Sequence, residues 1–351
     1  MKCAIVTVYA SQNCGSFLQA FALAKKIELL GCEATFVRQS FKKHSQSKIS
    51  YIKFLCKALL KMDFLAVKLE SKKRKAFSRT IKKLNILPGN SVADLYILGS
   101  DTIWDISQPY FMYHKDVFWG SKFDKTSVAS YAPSVGYAKE ISVEQQKWIA
   151  NALDNMKAIS VRDESSYNLI KPFTKKEIEF TCDPTFLISV DEYYKLSRDI
   201  VIDYDKFIFL YFYGRMSQEQ KKEICTFAQK NNLKIVTFSH LNRWCDVCEP
   251  YDPIRFLALY EKAEYVVTNT FHGTVFANIF EKKFAVLNVK KPKVIDLLKR
   301  LSKSDKMTND NNSLEDVLMS DFDYLETKKV IESDRQKGEM YLAKVISLAK
   351  Q

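Results

Sequence analysis

The sequence predicts an α/β protein with two doubly wound, Rossmann-like domains that face a central cleft. Short runs rich in β-branched and aromatic residues alternate with amphipathic helical segments, a pattern typical of parallel sheets covered on both faces. This alternation starts again near residue 206. The chain has 351 residues, more than one ordinary core holds, and its 47% hydrophobic content suffices for two cores.

The first predicted domain covers residues 1–190 and opens with a βαβ unit. The run CAIVTVYA is the first strand, FLQAFALAKKIELLG is a helix that ends at a glycine, and CEATFVRQ is the second strand. The next clear strand, DLYILGSD, ends in a polar turn. Each strand is followed by a helix or a turn, so we expect the strands to pair in parallel.

The second predicted domain covers residues 206–324, and residues 187–205 are the expected linker. A final helix is predicted over 325–351. The strands expected in this domain include KFIFLYFYG, LKIVTFS and EYVVTNT. Amphipathic segments separate them, which again favours a doubly wound sheet.

Positive charge is concentrated in a predicted helical insertion of the first domain, residues 41–85. The chain carries a net charge of +13, and this segment has only two acids, Asp63 and Glu70, among its many lysines and arginines. Apolar residues such as Ile52 and Leu55 stand among the lysines at helical spacing. Such helices either touch an anionic membrane surface or a phosphorylated acceptor, or present an ordinary solvated face. No zinc-finger, RNP or helix-turn-helix signature accompanies the charge, so we expect no nucleic-acid partner.

The expected location is the cytoplasm, or the inner face of the membrane if the 41–85 segment binds there. No apolar run reaches the ~18 residues of a membrane span, and the N-terminal run lacks a secretory cleavage pattern. Eight scattered cysteines fit a reducing compartment. Only Cys245 and Cys248 form a CxxC, and His240 is the nearest further ligand, so we predict a loop with two free thiols and no metal site.

Candidate functional residues of the first domain begin where its first strand meets its first helix, since ligands of doubly wound sheets bind at the carboxyl ends of strands. Asn13, Gly15 and Ser16 lie at this junction. Backbone N–H groups and the helix dipole favour anionic or hydroxyl-rich ligands there. The alternative is a plain turn with an N-cap. The stretch matches neither GxGxxG nor a Walker A motif, which leaves dinucleotide and ATP binding unsupported.

Two later strand ends of the first domain carry further candidates. Ser100 and Asp101 end one strand, and the Asp101 carboxylate is suited to accept a proton from a sugar hydroxyl or to cap a helical turn. Trp104 follows, either as a stacking surface for a sugar ring or as a core residue. Arg162 offers a planar fork for a carboxylate or phosphate, unless the neighbouring acids neutralise it in a surface cluster.

The stretch TNTFHG of the second domain holds the most informative candidates, Asn269, Thr270, His272 and Gly273. The positive end of the helix dipole favours a neutral imidazole at His272, whereas a bound phosphate favours its protonated form. His272 is therefore a candidate proton donor when an anionic substrate is bound, or else it satisfies backbone groups of the turn. Lys290, Lys291 and Lys293 follow the next strand and are candidates for lining an anion pocket.

Taken together, an ordered series of segments resembles the polysaccharide pyruvyl transferase family over roughly residues 1–300. The matching segments are NCGSFLQAFAL, LGSDTIWD, SYAPSVGY, SVRDESS, CDPTFL and TNTFHGTVFANIF. The resemblance implies a GT-B-like fold, phosphoenolpyruvate as the donor and no further cofactor. The acceptor would be a surface polysaccharide or its lipid-linked precursor, and the product a pyruvate ketal.

The resemblance also assigns roles to residues. It implies that Arg162 and His272 lie near the phosphoenolpyruvate, and that Asn13, Gly15 and Asp101 shape the cleft. We interpret His272 as the acid and Asp101 as the base of a reaction that requires no metal. Cys14 departs from the family, which usually has an aromatic residue at this position. Because of this departure, the resemblance does not identify the acceptor sugar.

Two other functions fit the same architecture. One is a GT-B glycosyltransferase that uses a nucleotide sugar, which predicts binding of uridine or guanosine diphosphate and no response to phosphoenolpyruvate. The other is a non-catalytic glycan-binding protein, which predicts saccharide binding without turnover. The presence of both Arg162 and His272 favours an enzyme over this third interpretation.

Overall fold

Parallel sheets form the framework of the protein. The computed structural model describes residues 1–38, 45–88, 92–123, 127–238, 242–287 and 291–350, and within these ranges it gives no side-chain description for 45–50 and 59. Its strands are β1 (Lys2–Val6), β2 (Glu33–Phe36), β3 (Leu95–Leu98), β4 (Val128–Ser130), β5 (Ile159–Val161), β6 (Ile178–Phe180), β7 (Phe207–Tyr211), β8 (Lys234–Phe238), β9 (Val247–Glu249), β10 (Tyr265–Thr268) and β11 (Lys283–Val286).

The helices stand between and around these strands. They are α1 (Cys14–Leu29), α2 (Ser45–Leu60), α3 (Phe64–Ile81), α4 (Pro109–Tyr113), α5 (Lys115–Phe118), α6 (Val143–Asn155), α7 (Glu164–Ile170), α8 (Val190–Ser197), α9 (Gln218–Lys230), α10 (Pro253–Lys262), α11 (Phe271–Ile279), α12 (Pro292–Arg300), α13 (Leu314–Met319) and α14 (Leu325–Leu348). Among the helices of the described ranges, none is both long enough and apolar enough to pass through a bilayer.

The chain divides into two compact units. Unit 1 comprises Met1–Gln39, Ile81–Ile188 and Glu332–Gln351, and unit 2 comprises Ser40–Thr80 and Ser189–Ile331. The predicted α/β class with parallel sheets is confirmed in both units.

Unit 1 contains a four-stranded parallel sheet in the order β2-β1-β3-β4 and a parallel pair of β5 with β6. The register places Ile5 opposite Phe36 and Ile97, so the strand centres are buried among apolar side chains. Helix α1 is capped by Asn13, whose side chain accepts from the Ser16 N–H at 3.2 Å. Such an N-cap fixes the start of a helix directly after a strand.

Unit 2 contains a five-stranded parallel sheet in the order β11-β10-β7-β8-β9. The central strands are buried on both faces, as their apolar sequences predict. Ser217 starts α9 with a capping box to Gln220, and Asp252 caps α10 ahead of Pro253. These caps satisfy N–H groups at the beginning of each helix and explain where it starts.

The basic segment belongs to unit 2 up to Thr80 and to unit 1 from Ile81 onward, whereas the sequence analysis attached all of residues 41–85 to the first domain. On α3, the Phe77 ring stacks on Tyr251 at a centroid distance of 5.5 Å. Asp63, just before α3, forms an ion pair with Arg243 at 2.9 Å. Contacts between residues so far apart in the chain are not visible in local sequence patterns.

The expected linker also contains ordered structure. Residues 190–197 form α8, and Tyr193 on this helix is completely buried. Its ring meets Phe276 of α11 edge-on at 5.3 Å. The predicted linker 187–205 is thus more than a bare connection, because the part that forms α8 packs into the core of unit 2.

The last helix, α14, is shared between the units, with residues up to Ile331 in unit 2 and those from Glu332 onward in unit 1. Within unit 1, the Tyr341 hydroxyl donates to the Ser130 carbonyl at 2.8 Å, and Glu339 pairs with Lys26 at 2.8 Å. The end of the chain is therefore part of the unit 1 core.

Candidate functional site

The Asp101 carboxylate of unit 1 lies at the end of β3 and is held by two donors. The Ser16 hydroxyl donates to one of its oxygens at 2.7 Å, and the Thr102 N–H donates to the other at 2.8 Å. Asp101 also has a positive φ of 74°, which non-glycine residues adopt at an energetic cost. The fold therefore fixes this half-buried carboxylate in one orientation beside the start of α1.

A buried chain of hydrogen bonds supports this arrangement. The Gln19 side chain donates to the Thr7 hydroxyl and to the Ser16 carbonyl, both at 2.9 Å. The Thr7 hydroxyl in turn donates to the Ser100 carbonyl at 2.9 Å. These bonds connect β1, α1 and the end of β3, so they fix the position of Ser16 relative to Asp101.

Ser100 and Gly15 lie inside unit 1 rather than on its surface. The Ser100 side chain is fully buried, and its hydroxyl donates to the Ala132 carbonyl at 2.8 Å. The Ser100 hydroxyl therefore has a structural role in unit 1, whereas the sequence analysis chose Ser100 as a substrate-binding residue. Gly15 is buried in the first turn of α1, next to Cys14, whose small side chain is also buried.

Trp104 is a core residue, the second of the two alternatives, and its buried ring presents no surface for stacking on a sugar. Its side chain is 0% exposed, and its indole N–H donates to the Phe118 carbonyl at 3.0 Å. The ring stacks on Trp119 with a centroid distance of 4.5 Å. A tryptophan can serve either environment because its ring is largely apolar and its single donor needs only one partner.

Arg162 is almost buried, at 7% exposure, in a group of carboxylates within unit 1. Its NH1 donates to Asp183 Oδ2 at 2.9 Å, and Asp163 lies 3.9 Å from its Nε. Burial acts to lower the pKa of the guanidinium, but Asp183, Asp163 and Asp101 outweigh it and raise the pKa. The structure therefore contradicts the alternative of a solvent-exposed surface cluster, because the pair with Asp183 is an internal one.

In unit 2, the loop between β10 and α11 is fixed by the hydroxyl groups of two threonines. The Thr268 hydroxyl donates to the Tyr211 carbonyl at 2.7 Å. The Thr270 hydroxyl caps α11 by accepting from the Gly273 N–H at 2.9 Å. A Cβ on Gly273 would come within 2.1 Å of the Thr268 hydroxyl oxygen and 2.4 Å of that of Thr270. This position therefore requires glycine for steric reasons.

Replacing Gly273 by Ala is expected to destabilise unit 2 by about 2–3 kcal/mol, because the added methyl displaces both hydroxyls that fix the loop. Thermal and urea unfolding of the purified variant would measure the loss. Gly31→Ala is the matched control, since Gly31 has a φ of 80° but open space around it. There we expect a cost of about 1 kcal/mol from the backbone alone. Equal costs at both positions would contradict the steric account of Gly273.

Asn269 joins this loop to the end of β7. Its side chain accepts from the Tyr213 N–H at 2.9 Å and donates to the Tyr213 carbonyl at 2.7 Å. The Lys291 ammonium donates to the Asn269 carbonyl at 3.0 Å, and burial lowers the pKa of Lys291. Lys290, one of the three lysines chosen from the sequence, lies outside the described residues. The other two lie at the loop, since the Lys293 ammonium is 5.8 Å from the centroid of the Phe271 ring.

His272 occupies the second position of α11, immediately after the cap. The imidazole is half-buried and lies edge-on to the Phe271 ring at 5.3 Å. The positive end of the helix dipole gives the surroundings of the ring a positive potential. An imidazole in this position suits a site for an anionic substrate.

A group of three tyrosine hydroxyls, which the sequence analysis missed, lies beside the loop. The Tyr251 hydroxyl is 3.1 Å from that of Tyr211 and 2.5 Å from that of Tyr213. The Lys73 ammonium of α3 stands over the Tyr251 ring at 5.5 Å from its centroid. A signal was present in the sequence, because Tyr211 and Tyr213 stand at the polar end of a predicted strand.

The CxxC pair lies at the edge of the unit 2 sheet and is not a loop alone, since Cys248 belongs to β9. The Cys248 thiol donates to the Asn242 carbonyl at 3.4 Å. Burial, with the neighbouring Cys248, raises the pKa of Cys245 to about 12. A reactive redox cysteine has a lowered pKa instead. Within the part of the chain that the structure describes, no group of three or more potential ligands is arranged to hold a metal ion.

Comparison with known families gives one match that covers most of the chain. The family described as "Polysaccharide pyruvyl transferase" matches residues 13–291. This range contains the turn before α1, the end of β3, Arg162 and the loop before α11. A search of curated protein sequences found no significant match.

Solved structures similar to the chain share its fold at low sequence identity. The UDP-GlcNAc 2-epimerase from Methanocaldococcus jannaschii, in complex with UDP-GlcNAc and UDP, has a TM-score of 0.54 and 11% identity over 97% of this chain and 99% of its own. A putative UDP-N-acetylglucosamine 2-epimerase from Listeria monocytogenes has a TM-score of 0.51 and 10% identity over 95% and 90%. Arabidopsis thaliana UGT89C1, complexed with UDP, has a TM-score of 0.50 and 12% identity over 99% of both chains. These similarities show that the fold is GT-B-like.

Proposed function

The chain belongs to the polysaccharide pyruvyl transferase family, and we propose that it transfers the pyruvyl group of phosphoenolpyruvate onto two hydroxyls of a saccharide. The product is a pyruvate ketal, and phosphate is released. The proposal rests on one observation: the loop from Thr268 to Gly273 places an imidazole at a helix N-terminus. This loop lies within the residues that match the family.

The donor, in this proposal, binds at the loop of unit 2. Phosphoenolpyruvate carries a phosphate and a carboxylate, and the N-terminus of α11 offers the positive end of the helix dipole to an anion. The Lys291 ammonium, bound to the Asn269 carbonyl, adds a positive charge at the same loop. We assign the donor's anionic groups to these elements and the proton donor to His272.

The acceptor hydroxyl is assigned to Asp101 of unit 1, with Asn13 and Ser16 beside it. The bonds from Ser16 and Thr102 fix the carboxylate, so it does not have to be oriented when the sugar binds. A carboxylate is a suitable base for a hydroxyl that attacks a strong electrophile, because the proton leaves as the new bond forms.

The reaction proceeds by protonation and addition. His272 donates a proton to the methylene carbon C3 of phosphoenolpyruvate, which makes C2 electrophilic. The first sugar hydroxyl attacks C2 and loses its proton to Asp101. The C2–O bond to the phosphate then breaks, and the second hydroxyl attacks C2 and loses its proton, which closes the ketal. The two hydroxyl protons balance the proton gained by the methyl group and the one carried by the released phosphate.

Arg162 contributes to this scheme mainly through its charge. Its bond to Asp183 and its burial support a role in balancing the carboxylates around Asp101. A buried guanidinium with carboxylate partners keeps its position better than an exposed one. We therefore propose that Arg162 positions the unit 1 carboxylates. A contact between Arg162 and the donor is not required by this role.

The thermal midpoint of the purified protein tests donor binding. Phosphoenolpyruvate at 100 times its dissociation constant should stabilise the folded protein by about 2.7 kcal/mol and raise the midpoint by a few degrees. Inorganic phosphate, pyruvate and uridine diphosphate serve as controls. A rise with uridine diphosphate but not with phosphoenolpyruvate would support the nucleotide-sugar glycosyltransferase and overturn this proposal.

A further inference from the structure

Helices α2 and α3 form a helical hairpin whose turn, residues 61–63, exposes large apolar side chains. Leu60 is 86% exposed, Met62 74%, Phe64 63% and Leu65 47%. These four residues, here called the hairpin tip, follow one another almost without interruption. Contiguous exposed apolar groups of this size mark interaction surfaces, because water disfavours them.

Among the hairpin side chains that the structure describes, the buried ones lie away from the tip. Ala58 of α2 and Ala76, Phe77 and Thr80 of α3 are buried. Phe77 stacks on Tyr251, as described above. The hairpin is therefore anchored through residues away from the tip, and the tip itself makes no contribution to the core.

The outer side of α2 carries an apolar stripe next to a basic stripe. Ile52, Cys56 and Leu60 are spaced by four residues, so they lie on one face of the helix, and all three are exposed. The lysines at 53, 57 and 61 repeat with the same spacing and are also exposed. An apolar stripe bordered by lysines is the pattern of a helix that lies in a membrane interface.

The two acids of the hairpin form their ion pairs with cations outside the lysine stripe, although the charge of Asp63 also acts on Lys61. Asp63 pairs with Arg243 at 2.9 Å and caps α3 by accepting from the Ala66 N–H at 3.1 Å. Glu70 pairs with Arg74 at 3.0 Å and lies 3.8 Å from the Lys73 ammonium. Neither acid forms an ion pair with the exposed lysine stripe of α2 among the described contacts.

We propose that this hairpin binds an anionic membrane surface, with the tip inserted among the acyl chains and the lysine stripe at the phosphate headgroups. The two features together favour a bilayer over a nucleic acid, since a nucleic acid would use the charge but leave Leu60, Met62 and Phe64 in water. Insertion into a bilayer also explains why large apolar side chains are exposed at the tip, which is unusual for a helix that only faces water. The inference does not depend on pyruvyl transfer, but it would bring the enzyme to a lipid-linked acceptor.

Co-sedimentation of the full chain with vesicles tests the proposal. We expect binding to vesicles of phosphatidylcholine mixed with phosphatidylglycerol, weak binding to phosphatidylcholine alone, and release by added salt. Lys53→Gln/Lys57→Gln/Lys61→Gln should lower the partition coefficient by about 100-fold, because each lysine near the surface contributes a factor of about five. Leu60→Ser/Met62→Ser/Phe64→Ser should lower it by at least ~10-fold.

Matched controls use positions of similar exposure elsewhere in the chain. Val143→Ser/Val201→Ser/Met340→Ser removes exposed apolar groups away from the hairpin, and Lys139→Gln/Lys175→Gln/Lys222→Gln removes exposed charge. Both controls should bind anionic vesicles like the unchanged protein. Equal losses in the controls, full binding by the tip variant, or no binding of the unchanged protein to anionic vesicles would each overturn the proposal.

The thermal response to phosphoenolpyruvate separates the failure of this inference from the failure of the proposed function. The tip variant should keep its thermal response to phosphoenolpyruvate, since the tip has no part in donor binding. Loss of vesicle binding with an unchanged response to phosphoenolpyruvate supports the membrane role. Loss of both vesicle binding and the response to phosphoenolpyruvate in the tip variant would indicate misfolding. Vesicle binding by the lysine variant would then test the membrane role, because its exposed side chains do not pack in the core.

Discussion

Replacing His272 by Ala is expected to lower the rate of pyruvyl transfer by at least ~100-fold, because it removes the proton donor for C3 of phosphoenolpyruvate. The half-buried ring packs against Phe271, so a small loss of stability accompanies the change. The initial rate of phosphate release in the presence of phosphoenolpyruvate and a saccharide acceptor measures the effect. His272→Gln should be as slow, since an amide has a similar polarity but cannot donate a proton as an acid.

His114→Gln is the matched control for this prediction. His114 is the histidine of unit 1, lies between α4 and α5, and contacts aromatic rings there. Its replacement should leave the rate within a factor of about three, because His114 has no part in the proposed reaction. Near-normal turnover of His272→Ala would remove His272 from the acid role.

Replacing Arg162 by Ala is expected to destabilise unit 1 by about 3–5 kcal/mol, because it leaves the buried Asp183 carboxylate without its cation. The thermal midpoint of the affected transition should fall by roughly 10 °C. Scanning calorimetry suits this test, since two units can unfold in separate transitions. The loss should appear with or without phosphoenolpyruvate.

Two further variants test whether the buried charge pair is responsible. Arg162→Met/Asp183→Leu removes both charges and should be more stable than Arg162→Ala, because no unpaired charge remains. Lys344→Ala breaks a half-exposed ion pair with Glu179, also in unit 1, and should cost less than about 1 kcal/mol. If Arg162→Ala were no more costly than Lys344→Ala, the guanidinium would not be a buried structural charge.

Much of the fold followed from sequence patterns because the strands are short, apolar and regularly separated by helices. The strand at DLYILGSD appears as Leu95–Leu98, and the strand at EYVVTNT appears as Tyr265–Thr268. Buried parallel strands repeat a local composition that needs no tertiary information. For the same reason the loop before α11 was found, since a threonine, a histidine and a glycine follow a strand and precede a helix.

The contacts between distant segments were not predictable in this way. Phe77 and Tyr251 are 174 positions apart, and nothing local to residues 41–85 indicates that α3 packs in unit 2. Trp104 stood at a polar strand end, yet its ring belongs to the core beside Trp119. Arg162 was recognised by its position, but its burial against Asp183 depends on the meeting of two loops.

The most direct test of the proposed reaction is the transfer carried out in deuterium oxide, with phosphoenolpyruvate and saccharides that offer two neighbouring hydroxyls, followed by mass spectrometry of the saccharide. Protonation at C3 predicts a pyruvate ketal whose methyl group carries one solvent deuterium, together with one phosphate released for each ketal formed. An unchanged saccharide alongside transfer from a nucleotide sugar, or a product that keeps the methylene group without deuterium, would contradict pyruvyl transfer by protonation and ketal formation.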